Sequence, residues 1–224
     1  MTYNIRHGRG LDGKVNIQRI ADVIIKEDID IVGLNEVDQV FSRRSNYLDQ
    51  GRWLANELQM NFAFGPALSL RSGQYGNAIF SRFPLTKHKN HLFKLIPPIA
   101  EPRAILEAAI SIENISIIVI TSHFSIQPFL HRRQLDFCLN YPNSPCILMG
   151  DLNRGPRSST YRKLSEKYID CSAHRPFPTF PARKPRSRLD YIFTSKHFEI
   201  IKTDVIQSTA SDHLPVMTTV KVQL

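Results

Sequence analysis

The residues of this chain best suited to chemistry stand at the ends of apolar runs. The clearest case is Gly150-Asp151-Leu152-Asn153, which follows the run Pro145-Cys146-Ile147-Leu148-Met149. A short apolar run bounded by proline and glycine predicts a buried strand. This one delivers a carboxylate and an amide to the strand's mouth. Asp151 can accept a proton from water, and Asn153 can donate a hydrogen bond to an oxyanion. A carboxylate just beyond a buried strand costs free energy unless something pairs with it. Asn4, Glu36, His123, Asp190, Asp212 and His213 stand at comparable strand ends. Strand ends on one edge of packed sheets converge on one crevice. Oxygen donors dominate the set, with no cysteine cluster and no His-x-x-x-His. Hard oxygen ligands suit Mg²⁺ or Mn²⁺ rather than structural zinc. Such a cation polarises a phosphoryl oxygen and lets a carboxylate activate water. The two histidines add donors for phosphate charge.

Taken singly, each residue has a structural explanation. His123 could be a satisfied core histidine. Asp190 could pair with the flanking Arg188, and Asp212 could be a turn residue ahead of Pro215. Asp151 and Asn153 are ordinary turn types as well. The joint pattern favours a site over a set of separate accidents.

The elements that position these residues can be read in chain order. A strand is expected over 1–6 with Asn4 at its centre; asparagine is disfavoured in strands, so it is a local defect or a ligand. The glycine-rich stretch from His7 to Gly13 lacks the spacing of a phosphate-cradling loop. Asn16 caps a helix whose core face is Ile17, Ile20, Ala21, Ile24 and Ile25. A buried strand over 30–37 carries Glu36, and Arg43 and Arg44 follow in a polar loop. A helix over about 52–59 turns Trp53, Leu54 and Leu58 inward. Strands are expected over 62–70 and 77–83, with Gly73-Gln74-Tyr75-Gly76-Asn77 between them. The polar run 85–94 reads as an edge strand, and 104–112 as another strand. After a turn at 113–114, the β-branched run 115–121 predicts a central strand ending in Ser122-His123-Phe124. A helix over 129–140 keeps Arg132 and Arg133 outward, and Ser158 or Ser159 caps a helix to about 167. The proline-rich basic stretch 175–188 reads as a surface loop. Strands over 189–193, 200–207 and 216–222 complete the chain. No repeat or linker divides it, so one domain over 1–224 is expected. Its class is α/β (α+β), two packed, mostly antiparallel sheets with helices outside.

Composition narrows the partners. The 224 residues are 42% hydrophobic and 22% charged, and no apolar stretch is long enough to span a bilayer. The net charge of +9 favours anionic partners such as nucleic acid, phosphorylated small molecules or acidic lipid surfaces. Cys138, Cys146 and Cys171 are odd in number and lack metal spacing. Buried free thiols in a reducing compartment are expected rather than a disulfide framework. No charged opening followed by an apolar run marks a signal peptide, so a cytoplasmic location is expected. Neither stable membrane insertion nor an obligate protein partner is expected. The chain opens almost directly on a strand, and further residues are expected before Met1 in the natural protein. The single tryptophan and sparse aromatic interleaving disfavour a single-strand stacking platform.

One ordered set of motifs is specific. Thr2-Tyr3-Asn4-Ile5-Arg6, Leu34-Asn35-Glu36, Tyr75-Gly76-Asn77-Ala78-Ile79-Phe80-Ser81, Thr121-Ser122-His123, Gly150-Asp151-Leu152-Asn153, Leu189-Asp190-Tyr191-Ile192-Phe193 and Ser211-Asp212-His213-Leu214-Pro215 follow one another along the chain. Together they resemble the endonuclease/exonuclease/phosphatase superfamily. That group includes pancreatic deoxyribonuclease, apurinic/apyrimidinic endonucleases, inositol-polyphosphate phosphatases and bacterial sphingomyelinases. The resemblance implies a four-layer αββα sandwich with the site at one end of the two sheets. It implies that Glu36 is the principal ligand of Mg²⁺ or Mn²⁺, with Asn4 nearby and Asp212 assisting. Asp151 would orient or deprotonate the attacking water, and Asn153 would hold the phosphate and the Asp151 carboxylate. His213, fixed by Asp190, would clamp the scissile phosphate, and His123 would be a second phosphate contact. Asn77 and Arg103 are further candidates for substrate contact, Arg103 being equally suited to a structural ion pair. No core position departs from the family pattern. The chain leaves little room for the extra loops that grip duplex DNA, and it lacks the hydrophobic hairpin of secreted sphingomyelinases. It most resembles small bacterial members described as metal-dependent hydrolases.

The expected activity is therefore a Mg²⁺-dependent phosphoesterase on an anionic phosphoester, with a nuclease-like phosphodiester favoured and nucleic acid a candidate partner. The basic loop from Arg183 to Arg188 suits a nucleic-acid backbone or a polyphosphorylated headgroup. The alternatives are a phosphatase or phosphodiesterase for a lipid-derived or inositol-type headgroup, and a non-catalytic anion-binding protein on the same scaffold.

Overall fold

The computed structural model describes residues 1–70, 73–97, 99–113, 115–174 and 177–223. Residues 175 and 176 of the basic stretch, and Asn114 of the expected turn, lie outside the described residues. The strands form two six-stranded sheets. The first runs in the order β11 (Phe198–Val205), β12 (Val216–Val222), β1 (Thr2–Asn4), β2 (Ile31–Gln39), β4 (Gly73–Ser81) and β3 (Asn61–Leu70). The second runs β5 (Leu85–Phe93), β6 (Arg103–Ile112), β7 (Ile115–Ser122), β8 (Cys146–Asp151), β10 (Asp190–Thr194) and β9 (Ile169–Asp170). Each sheet is mostly antiparallel with one parallel pair, β1–β2 in the first and β7–β8 in the second.

A parallel pair needs a long crossover, and both crossovers here are helical. Helix α1 (Gln18–Lys26) joins β1 to β2, and α3 (Pro128–Leu139) joins β7 to β8. Helix α2 (Gln50–Leu58) follows β2, and α4 (Ser159–Lys167) follows β8. Side-chain caps mark the starts of α2, α3 and α4, at Asp49, Gln127 and Ser158. The cap position of α1 is Ile17, without a side-chain cap; Asn16 Oδ1, one residue earlier, accepts from the Gln18 N–H at 3.0 Å.

Alternation along the strands sorts the apolar residues into three layers of core. Along β8, Cys146 and Leu148 pack outward with Leu130, Leu135 and Leu164 of α3 and α4. Ile147 and Met149 point the other way and meet Leu106, Val119 and Ile192 between the sheets. On the far side Tyr3, Leu34 and Phe80 lie under Ile20, Ile24 and Leu54 of α1 and α2. Helix, sheet, sheet and helix therefore stack as four layers. Burying one such side chain stabilises by about 1.5–3 kcal/mol, which fixes the register of each strand.

Several elements differ from the sequence reading. Residues 73–77 are not a connection but the first half of β4. Gly76 is there because of a close strand approach, since a Cβ would lie 2.1 Å from the Gly65 carbonyl oxygen of β3. Ile25 lies off the core face of α1 and is half exposed. β1 stops at Asn4, and a short 3-10 turn follows at Arg6–Gly8. β9, two residues long, is too short to show a period. Arg188 is buried rather than superficial. It pairs with Asp170 at 2.5 Å, and its guanidinium lies over the Tyr191 ring. The three cysteines are buried and free. No helix among the described residues is long and apolar enough to cross a membrane.

Gly150 carries the tightest constraint. Its φ is +141°, and a Cβ would stand 1.9 Å from the Ser122 carbonyl oxygen on β7. Gly150→Ala is expected to lose at least about 2 kcal/mol in urea unfolding. Gly155→Ala is the control, because nothing lies within 4 Å of its added Cβ. Equal stability of the two variants would contradict the constraint.

Candidate active site

The ends of β1, β2, β7, β8 and β10 bring the strand-end residues together. Asp190 is directly opposite Asp151 in the antiparallel β8–β10 register. Both are 1% exposed. Like charges opposed across strands are destabilising, and His213 stands between them. Its Nδ1 is 2.8 Å from Asp190 Oδ2, and its Nε2 is 3.7 Å from Asp151 Oδ2. Asp190 thus pairs with His213, while Arg188 is committed to Asp170. Asp190 Oδ1 is buried with no hydrogen-bond partner among the described residues. The Phe180 ring packs on His213 with centroids 4.7 Å apart.

Glu36 reaches the same place from the first sheet. It sits in a β-bulge, where the β2–β4 register shifts between Leu34 and Val37, and its φ is +62°. A bulge turns a side chain out of strand alternation and concentrates at sites. Asn4 Nδ2 donates to Glu36 Oε1 at 3.1 Å and to Asp151 Oδ2 at 3.2 Å. As placed, Asn4 turns nitrogen towards the carboxylates, while its Oδ1 accepts from the Arg6 N–H. Asp212 is more exposed and pairs with Arg6 at 3.3 Å.

His123 ends β7. Its Nε2 is 3.5 Å from Asp151 Oδ2, and its Nδ1 is 3.9 Å from Glu36 Oε1. Asn153 has a φ of +50°, and its backbone N–H donates to Asp151 Oδ1 at 2.8 Å. Its side-chain amide donates to the Phe124 carbonyl. Arg103 ion-pairs with Glu101 and lines a narrow crevice with Glu36, Tyr75 and His123. Asn77 stands in the same crevice, buried, with its amide engaged by Asn35 and the Ala104 carbonyl.

Three supporting residues escaped the sequence reading. Asn35 donates to Asn77 Oδ1 at 2.8 Å and accepts from the Asp151 N–H at 3.1 Å, tying the two sheets together beneath the carboxylates. Its one signal is an amide closing an apolar run, the same signal seen at Asn4. Thr179 donates to Asp190 Oδ2 at 2.5 Å, and nothing in a proline-rich stretch marks it. Gln134 of α3 donates to the His123 carbonyl at 3.2 Å and accepts from the Ser125 N–H at 2.8 Å. It steadies the backbone that presents the histidine, and a glutamine in a helix carries no signal.

Electrostatics divide the two histidines. Burial alone would lower His213, but the charge and hydrogen bond of Asp190, then Asp151 and Asp212, outweigh it and raise it to about 10. Burial, then the positive charges of Arg103 and His213, hold His123 well below the usual histidine range. A charged and a neutral imidazole therefore flank one carboxylate oxygen at neutral pH. Burial raises Asp151, and Asp190 raises it further, against His213 and the Asn153 and Asn4 donors. Burial also raises Glu36, opposed by the Asn4 amide and reinforced by Asp212.

The model of the endonuclease/exonuclease/phosphatase family matches residues 1–213, which takes in every strand end of this cluster. The chain belongs to that family. By family it is a phosphoesterase-type hydrolase. Uncharacterized protein YbhP of Escherichia coli strain K12 is 25% identical over 209 residues, covering 87% of this chain and 81% of the relative. The endonuclease/exonuclease/phosphatase from Beutenbergia cavernae superposes with a TM-score of 0.84 at 24% identity, over 99% of this chain and 70% of that one. The mannosyl-6-phosphatase Bt3783 of Bacteroides thetaiotaomicron gives 0.75 at 20% identity, over 98% of each chain. At such identities the structural likeness is one of fold.

The charged state of His213 is directly measurable. Its folded value lies above its ordinary 6.5. The ring therefore adds its full stabilisation below about pH 6.5 and loses it as pH rises through about 10. An NMR titration of the ring should show it protonated across neutrality, and Asp190→Asn should lower that midpoint. A ring that deprotonates near its ordinary value in the wild type would contradict the Asp190 pairing.

Proposed function

We propose that this family member is a Mg²⁺- or Mn²⁺-dependent phosphodiesterase, nuclease-like in its choice of a diester. The observation that carries the reading is the convergence on Asp151 Oδ2. His123, His213 and Asn4, from three different strand ends, lie 3.5, 3.7 and 3.2 Å from it. A buried carboxylate ringed by donors, with its basicity raised by burial, suits proton abstraction near neutral pH.

The residues fit a hard divalent cation at Glu36 rather than within Asp151, Asp190 and His213. The ligand atoms of that triad lie within 4.8 Å of one another, but His213 Nδ1 is committed to Asp190 at 2.8 Å and its Nε2 faces Asp151 Oδ2 at 3.7 Å. Glu36 is a carboxylate with a raised pKa, Asp212 acts on it, and its hydrogen-bond donor is the Asn4 amide. Glu36 would hold the cation, with Asp212 assisting. Asn4 would contribute an oxygen once its amide turns over, and as placed it steadies the Glu36 carboxylate. When bound, the cation polarises a phosphoryl oxygen. Asp151 takes the proton from the attacking water as the new O–P bond forms and the ester O–P bond breaks, the departing oxygen keeping that electron pair and taking a proton from solvent. The His213 imidazolium donates from Nε2 to the phosphate, with Asp190 orienting its ring and Thr179 orienting Asp190. His123 offers a second contact and Asn153 a third. Arg103, which shares a crevice with Glu36 and pairs with Glu101, would meet substrate charge.

A monoester is the second reading, favoured by the likeness in fold to the Bacteroides mannosyl-6-phosphatase. Turnover of bis(p-nitrophenyl) phosphate and p-nitrophenyl phosphate, with Mg²⁺ or Mn²⁺ and with chelator, decides between them. Asp151→Asn and Glu36→Ala are each expected to lower kcat by at least roughly a hundredfold with folding retained by circular dichroism. Asp151→Asn should keep affinity for the uncleaved ester, because it removes the proton acceptor and keeps the shape. Chelator-insensitive turnover would overturn the metal assignment. Failure to hydrolyse any phosphoester would leave the anion-binding alternative standing.

A further inference from the structure

The most exposed large apolar side chains among the described residues are Ile96, Ile99 and Ile126, at 87%, 75% and 69%. Aliphatic groups so placed add nothing to the core and keep their full cost of hydration. All three stand in two loops at the site edge of the second sheet. Ile96 and Ile99 belong to the loop 94–102, which joins β5 to β6 and leads into Arg103. Ile126 follows His123 closely, in the connection from β7 to α3. β6 and β7 pair with Ile105 opposite Ser122, so both loops leave the edge that carries Arg103 and His123.

The described part of each loop is held in place. Phe93 and Arg103 are opposite one another in the β5–β6 register and close the base of the first. Its Leu95 and Ala100 turn inward against a core cluster that contains Phe93, Phe124 and Leu130. The Arg133 guanidinium lies 5.8 Å from the Phe93 ring centroid and 6.0 Å from that of the exposed Phe129, joining the loop to the start of α3. Arg154 Nη2 donates to the Ile126 carbonyl at 3.2 Å. The isoleucines therefore project from an ordered base.

The uncompensated charge around them is of one sign. Lys94 adjoins the first loop, Arg133 touches Phe129 and Arg154 holds Ile126. Among the described residues none of these three cations is in an ion pair. The nearby acids are already taken, Glu101 by Arg103 and Asp136 by Arg132. Projecting aliphatic tips beside unpaired cations complement an anionic bilayer surface. The tips enter the acyl boundary, while the ammonium and guanidinium groups stay with the headgroup phosphates. A protein partner would have to supply a pocket for each tip, and a fluid interface needs none.

We infer that these two loops are a peripheral docking surface for an anionic lipid bilayer, so that the crevice lined by Arg103 and His123 lies at the membrane surface. Three tips bury little apolar area, which makes the attachment reversible and dependent on the cations as well. The inference stands on the loops and is independent of which phosphoester the site hydrolyses.

The test is co-sedimentation of the whole chain, in chelator, with vesicles of phosphatidylcholine alone and of phosphatidylcholine mixed with phosphatidylglycerol. Binding should favour the mixed vesicles and weaken as salt rises. Ile96→Ser/Ile99→Ser/Ile126→Ser should lower partitioning at least roughly tenfold, and the corresponding leucine variant should keep it. Lys94→Gln/Arg133→Gln should lower it by about fivefold for each charge removed. Circular dichroism and thermal unfolding check that each variant is folded. No binding to either vesicle, equal binding to both, or a folded serine variant that partitions like the wild type overturns the inference. If sedimentation equilibrium shows instead that the wild type self-associates through these isoleucines and ignores vesicles, the face is an interface between copies of this chain and the inference falls.

Discussion

Two carboxylates face each other on neighbouring strands, out of water, and much of the structure exists to hold them there. Burying either charge alone costs several kcal/mol, and opposing them adds repulsion. His213 resolves the conflict by hydrogen-bonding one carboxylate and approaching the other. The Asn4 amide and the Thr179 hydroxyl add donors to the same two oxygens that His213 faces. Of the other two, Asp151 Oδ1 accepts from the Asn153 N–H, and Asp190 Oδ1 has no partner among the described residues. Each donor arrives from a different segment, so the arrangement holds only if both sheets keep their registers. Asn35 makes that dependence explicit by joining Asp151 on one sheet to Asn77 on the other.

Much of this was legible in the sequence, and for one reason. A polar residue ending an apolar strand is locally out of place, so each one announces itself. Asn4, Glu36, His123, Asp151, Asp190 and His213 were found that way and lie together. The helices and their outward arginines followed from a 3.6-residue period, and the layers from a 2-residue period. The failures also share a cause. Gly73 and Gly76 carry the usual mark of a turn, yet their spacing to neighbouring strands puts them inside β4. Arg188 looks like any loop arginine until its distant partner Asp170 is in place. Thr179 and Gln134 do their work through hydrogen bonds to residues far along the chain, and no local pattern records such a partner. The bulge that redirects Glu36 is likewise a property of two strands, not one.

The surplus of positive charge is unevenly used. Arg44 is held by the buried Asp38, and Arg82 by Asp28 and Asp30. Arg188 spends its charge in the core. Exposed basic residues outside these pairs are spread along the chain, from Lys87 and Lys89 through Arg162 and Lys163 to Arg183, Lys184 and Arg186. A net positive charge attracts anions in general, and the attraction weakens as salt rises. In the proposed mechanism the proton acceptor is a carboxylate that solvent barely reaches.

The order in which the strands are made has a consequence for the protein during synthesis. β1 lies between β2 and β12, and the Asn4 carbonyl at its end accepts from Ser211 in the segment bearing His213, far along the chain. A growing chain can complete the second sheet as far as β10 and still lack the imidazole that reconciles Asp151 with Asp190. Until β12 docks beside β1, those carboxylates are better protonated or hydrated than buried in opposition. The proposed centre is therefore complete only when β12 has paired with β1.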